Sequence, residues 1–195
     1  MALNLVNEIW IDKAKGEVNP LAFSEVAQEL AKIIDMEGRN LLSRQEKEEL
    51  RKRFKNKQER ELEEEKLQAK KTSEMAKKMR YEDWLLERIK WKEEKNKPTQ
   101  IRKFYDAIFN LNQRQHKELI YKEDESQEIS RNILAQLHRQ LALVHYAKGR
   151  KLITQSFVSM MDELIKAVNT PRDLQIITDF LEAFMAFYKE CRPGN

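Results

Sequence analysis

The side chains best placed to do chemistry in this sequence are its cations, and they fall in three clusters. These are Arg51-Lys52-Arg53 with Lys55 and Lys57, the pair Arg102-Lys103, and the run Lys148-Gly149-Arg150-Lys151. Ammonium and guanidinium groups bind phosphate oxygens through charge-assisted hydrogen bonds, with an affinity that falls steeply as salt rises. A charge run on a helix is more often a solvated face, and the first cluster, mixed with many acids, reads that way. The other two each border an apolar stripe, so a packed core would hold them rigidly. Contact with successive phosphates is the chemistry they offer.

Other chemistries lack their parts. His138 and His145 are seven residues apart and share a helix face, but with His116 they form neither an HExxH pattern nor closely spaced Cys/His pairs. The chain has only 4 glycines, widely separated, so no phosphate-cradling Gly-rich loop can form. No Ser or Cys has a partner pattern that marks a nucleophile. The Met and Phe positions Phe157, Met160, Met161, Phe180, Phe184 and Phe187 read as core, because a ligand pocket needs convergent polar groups among them. The sequence supports neither an enzyme nor a cofactor site.

The elements that must position the cations are helices. Between Thr99 and Leu111, Ile101, Phe104, Tyr105, Ile108 and Leu111 recur at helical spacing, with Arg102, Lys103 and Asp106 on the other side. Thr99 is the expected cap, and the helix extends to about Tyr121. Ser126 is expected to cap a second helix carrying Ile129, Ile133, Leu134, Leu137, Leu141 and Val144, interrupted at Lys148-Gly149-Arg150-Lys151. A third carries Ile153, Phe157, Met160, Met161, Leu164, Ile165 and Val168 inward. Thr170-Pro171-Arg172-Asp173 is a strong start signal for the last, with Leu174, Ile177, Phe180, Leu181, Phe184 and Tyr188 buried.

Upstream, Leu3 to Ile11 reads as one short helix, residues 15–20 as a loop, and Leu21 to Ile34 as a core-facing helix ending near Gly38. Residues 39–97 contain no Gly or Pro and are dominated by charge. They predict a long, solvated helix or helix pair whose end regains apolar character at Met75, Met79, Trp84, Leu85, Ile89 and Trp91. Two tryptophans on a polar helix need a surface to cover. The arm should therefore pack against the C-terminal bundle or against another copy of the chain.

Composition agrees. Charged residues are 36% of the chain, against roughly 25% in ordinary globular proteins, and Gly and Pro number 4 each. The fold class expected is all-α, a helical bundle with a long charged helical arm. Its expected divisions are 1–38 (N-terminal helices packing on the bundle), 39–97 (the arm) and 98–195 (the bundle, with short connections). The net charge of +4 is mild. A nucleic-acid surface must therefore come from clustering on faces. One cysteine, Cys191, fits a reducing compartment, and no run approaches the 18 or so apolar residues of a membrane span. A cytoplasmic protein without a membrane partner is expected.

Three segments together resemble a known family. TQIRKFYDAIFNL at 99–111, HYAKGR at 145–150 and FLEAFMAFYK at 180–189 are similar to the small subunit of the type III-A CRISPR effector, the Csm complex. That family shows a Q-I-R-K-F helix start, an A-Y-x-x-x-R type segment and an E-A-x-x-A-Y/F-x-K final helix. The resemblance covers roughly Thr99 to Lys189, with a looser likeness at Leu21–Ile34. It implies a non-catalytic helical protein stacked in several copies along the guide RNA and target RNA. Its neighbours would be the repeated backbone subunit and the large polymerase-like subunit. Arg102, Lys103 and Arg150 match the motif cations, and Lys148 and Lys151 are added on charge grounds. The 39–97 stretch is longer than the family needs, and Lys148 stands where the family has small residues. Self-association, as a homodimer in isolation, is also expected of a chain with such an arm. The alternative from another class is a protein-interaction scaffold that docks through its arm and binds no RNA.

Overall fold

The last helix organises the molecule. In the computed structural model, which describes residues 4–122 and 128–193, α9 (Pro171–Cys191) buries Leu174, Ile177, Phe180, Leu181, Phe184 and Tyr188. Their spacing puts all six on one stripe, so the helix can be covered on two sides. Its start is the one expected: Thr170 accepts from the Asp173 N–H, the Asp173 carboxylate accepts from the Thr170 N–H, and Pro171 opens the first turn. Asp173 also takes the Lys13 ammonium at 3.2 Å, which ties the N-terminal region to this cap.

Around α9 pack α2 (Glu25–Gly38) and α6 (Pro98–Lys122). The helix α7 (Arg131–Gly149) lies on α6 and on α8 (Gln155–Lys166). These are the bundle helices read from the sequence, with Ile101, Ile108, Ile133, Leu137, Val144, Phe157 and Met160 buried. Among the described residues the chain is all-α apart from one small hairpin.

Local details differ from the sequence reading. Pro98 is the first residue of α6, so Thr99 lies inside the helix and caps nothing; the Lys97 carbonyl takes the first bonds. Ser126 lies outside the described residues, and α7 starts after Ser130, whose side chain makes no cap hydrogen bond. The Leu3–Ile11 helix is cut short. The helix α1 spans Leu5–Ile9, and β1 (Trp10–Asp12) then pairs antiparallel with β2 (Glu17–Val18) across the stretch read as a loop. Gly16, at φ 67, makes that turn, and the Arg172 side chain fills the space a Cβ there would need. The segment Leu21–Ile34 is a short 3₁₀ turn, Pro20–Phe23, followed by α2.

The charged stretch is broken into α3 (Arg44–Arg53), α4 (Lys57–Lys78) and α5 (Tyr81–Glu87). Its end is packed into the body. Trp84 is fully buried and stacks with Trp91 at 5.4 Å, and the single hydroxyl proton of Tyr81 is within hydrogen-bond reach of both the Phe187 carbonyl and the Glu190 carboxylate on α9. The Lys32 ammonium, buried in α2, donates to the Ala76 and Met79 carbonyls and so holds the C-terminal end of α4. Among the described residues, no helix is long and apolar enough to cross a membrane.

Candidate nucleic-acid interface

The helices α6 and α7 are antiparallel neighbours, so the start of one and the end of the other lie at the same end of the bundle. The Asn96 N–H donates to the Leu152 carbonyl at 2.8 Å, which fixes the entry to α6 against the turn that leaves α7. The Asn96 side chain, fully buried at φ 55, accepts from the Thr154 N–H and donates to Thr154 Oγ1 and to the Ile34 carbonyl. The Tyr188 hydroxyl donates to the Asn96 carbonyl. One asparagine thus joins α2, α6, α8 and α9 under the surface that bears the cations.

Beneath the same region lies a buried ionic cluster that the sequence reading missed. Asp35, with no exposed surface, accepts from Arg39 Nε at 3.1 and 2.9 Å, from Arg192 Nε at 2.5 Å and from the Trp84 indole at 2.9 Å. The Arg39 guanidinium also donates to the carbonyls of Arg88, Trp91 and Cys191 and to Glu93. The Arg192 guanidinium donates to the Lys95 and Asn96 carbonyls. Two guanidinium groups and one carboxylate are tolerated in the interior because nearly every donor has an acceptor. Gly38 lets Arg192 pass, since a Cβ there would collide with the guanidinium and with the Lys95 carbonyl. Only the Arg39–Asp35 pair, four residues apart on one helix, carries a local sequence signal.

The sequence-selected cations take different environments at this end. Arg102 and Lys103 are exposed on the first turns of α6, with Arg102 Nε 3.7 Å from Asp106. Arg150 is exposed, and its guanidinium lies over the Tyr146 ring at 5.7 Å. Tyr146, 63% exposed at the end of α7 and four residues before Arg150 in the HYAKGR segment, is an aromatic surface beside these cations. Lys148 is half-buried in the last turn of α7. Lys151 adopts φ 58, a conformation L-residues rarely take, and its ammonium lies 2.6 Å from Glu61 on α4. That hydrogen bond raises the Lys151 pKa and holds the Glu61 carboxyl below the usual range. The five residues are brought to one end of the fold, and Lys151 alone among them is held by the charged arm.

The first cluster stays apart. Arg51, Lys52 and Arg53 are exposed in the last turn of α3, where cations complement the helix dipole. Two of the three histidines pair with polar neighbours: His116 with Gln175 at 2.8 Å and His145 with Asp162 at 3.3 Å. Among the described residues, no three His, Cys, Asp or Glu side chains are grouped as a metal would need. Cys191 is buried, and burial pushes its thiol pKa up to about 12, far from a reactive thiolate.

These features define the class: an all-α bundle that gathers basic side chains at one end over a buried polar core in which nearly every donor has an acceptor. The chain belongs to the Csm2 Type III-A family, whose profile matches residues 87–193, from the end of α5 to just past α9. It is therefore a small subunit of the type III-A CRISPR complex, from a structural small-subunit family whose members assemble with other Csm subunits. No curated protein and no solved structure matches the chain.

Proposed function

We propose that the chain is a non-catalytic subunit that stacks in several copies along the guide and target RNA. Its contacts are with the phosphate backbone, through Arg102, Lys103, Lys148, Arg150 and Lys151, without reading sequence. The observation that carries this reading is their gathering at the joint between α6 and α7, whose backbone Asn96, Leu152 and Thr154 fix. Lys and Arg side chains held on a rigid end suit backbone contact, whereas base readout would need a recognition element. Residues 98–195 would face the RNA, residues 1–38 would buttress α9, and the arm at 39–97 would lie toward neighbouring subunits of the cytoplasmic complex. These neighbours would be the repeated backbone subunit and the large polymerase-like subunit.

Charge reversal of Arg102, Lys103 and Arg150 together tests it. Retention of RNA in the assembled complex should fall, with helical circular dichroism unchanged. Unaltered retention overturns the proposal. The scaffold alternative rested on an unpartnered tryptophan face, but Trp84 is fully buried within the chain and stacked on Trp91. A salt series separates the two readings, since a pure scaffold shows no salt-dependent affinity for RNA.

A further inference from the structure

Two cations near this end are engaged by carboxylates of the chain itself. Lys151 Nζ lies 2.6 Å from Glu61, and Lys95 Nζ lies 3.5 Å from Glu65. Glu61 and Glu65 are one turn apart on α4, so both carboxylates leave the same face of the helix. Together with Glu64 they line a groove of about 570 Å³ that Lys95, Lys148 and Lys151 also line. A carboxylate oxygen at hydrogen-bond distance from an ammonium occupies the place a phosphate oxygen would take.

The part of α4 that carries these acids is lightly seated. Thr72 is the one buried residue of the helix, and Leu62, between the acids, is 53% exposed. The firm attachments come later: Gln68 bonds the Arg39 carbonyl and the Leu41 N–H, and Lys32 holds the Ala76 and Met79 carbonyls. Before Gln68 no residue of α4 is fully buried and Leu67 is half-buried, so the hold on the body there is largely polar. Exposed ion pairs of this kind are weak and salt-sensitive. The lysine end of the latch is specified by backbone. Lys151 takes the left-handed position that closes α7, although Gly149 stands two residues earlier with open space around it.

We propose that Lys95 extends the RNA-contacting set, and that Glu61 and Glu65 hold the places of RNA phosphates at Lys151 and Lys95 until RNA displaces the first half of α4. The inference rests on the RNA-binding reading above. It also places the control in the chain's own arm, since α4 lies outside the residues matched by the family profile.

The test measures affinity of the purified full chain for a labelled RNA oligonucleotide over a salt series. Glu61→Gln with Glu65→Gln should tighten binding roughly three- to tenfold, the order expected from losing two exposed ion pairs. Adding Lys95→Gln to that pair should cancel part of the gain. As a second measurement, hydrogen exchange over residues 57–67 of the unaltered chain should speed up when RNA is added. If the double variant binds as the parent does, or exchange there is unchanged or slowed, the masking is wrong. The RNA reading then still stands provided reversal of Arg102, Lys103 and Arg150 weakens binding. If neither set of variants nor salt alters RNA affinity, the RNA reading fails and this inference with it.

Discussion

Replacing Asp35 by Ala should be among the most damaging single changes in this fold. The carboxylate is fully buried and, among the described residues, is the only acidic partner of Arg192 within 3.5 Å. Removal leaves the Arg39 and Arg192 guanidinium groups, 5% and 1% exposed, facing carbonyls and the half-exposed Glu93, which lies 3.1 Å from Arg39 but 3.9 Å from Arg192. Breaking one member of a buried ionic cluster typically costs about 3–5 kcal/mol, because the remaining charge stays buried without compensation. The Trp84 indole N–H loses its acceptor as well, adding about 1 kcal/mol or more. A total of about 4–6 kcal/mol is a large share of the roughly 5–15 kcal/mol that stabilises an ordinary domain. At about 2–4 °C per kcal/mol for a chain of this size, the melting temperature should fall by roughly 8–24 °C.

Urea unfolding followed by circular dichroism reads the stability, and Trp84 emission reads the cluster, shifting red as α5 loosens from α2 and α9. Asp35→Asn, which keeps an acceptor for the indole but not the charge, should fall between the parent and the alanine variant. A loss below about 1.5 kcal/mol for Asp35→Ala would refute the reasoning, since it would mean that water, the carbonyls and Glu93 can compensate both guanidiniums without Asp35. The figure is the cost of truncation. Replacing all three charged groups with matched apolar side chains can be close to neutral.

Two glycines should respond in opposite directions. Gly38→Ala drives a methyl into the Arg192 guanidinium and the Lys95 carbonyl, with an expected cost of about 2–3 kcal/mol, whereas Gly149→Ala meets nothing and should gain up to about 1 kcal/mol at the end of α7. Matched denaturation curves check both, and equal effects would contradict the packing described. Acid stability carries a signature of Glu46, whose pKa is lowered to about 2 by the Lys71 ammonium first and by the Ser43 N–H and hydroxyl with it. A depressed carboxylate stabilises fully above its unfolded pKa near 4.3 and loses that contribution as pH falls through the folded value. The stability gap between the parent and Glu46→Gln should therefore be constant above about pH 5 and shrink between about pH 4.5 and 2. A gap that instead widens on acidification would refute the assignment.

The sequence by itself determined the helices of the bundle, their apolar faces and the start of α9. Periodicity reports which face of a helix avoids water, and the Thr170–Asp173 box completes itself within four residues. The motifs at 99–111, 145–150 and 180–189 likewise pointed to the family that the profile match establishes. Other features were decided only in three dimensions. Arg192 carries no local sign of burial until Asp35, 157 positions away, is folded against it. Lys151 reads as a free cation until Glu61, 90 positions earlier, meets it. The hairpin Trp10–Val18 displaced the expected helix end because Ile9 and Trp10 found cover in the core, while Ile11 was left exposed. The physical reason is common to all three. Local spacing fixes what must be buried. Which distant charge compensates a buried ion, and which surface an arm returns to, depends on packing that no local window contains. Thr99–Leu111 positions Arg102 and Lys103 by periodicity alone, whereas the end of the bundle they share with Arg150, and the Glu61 carboxylate that holds Lys151 there, belong to the tertiary fold.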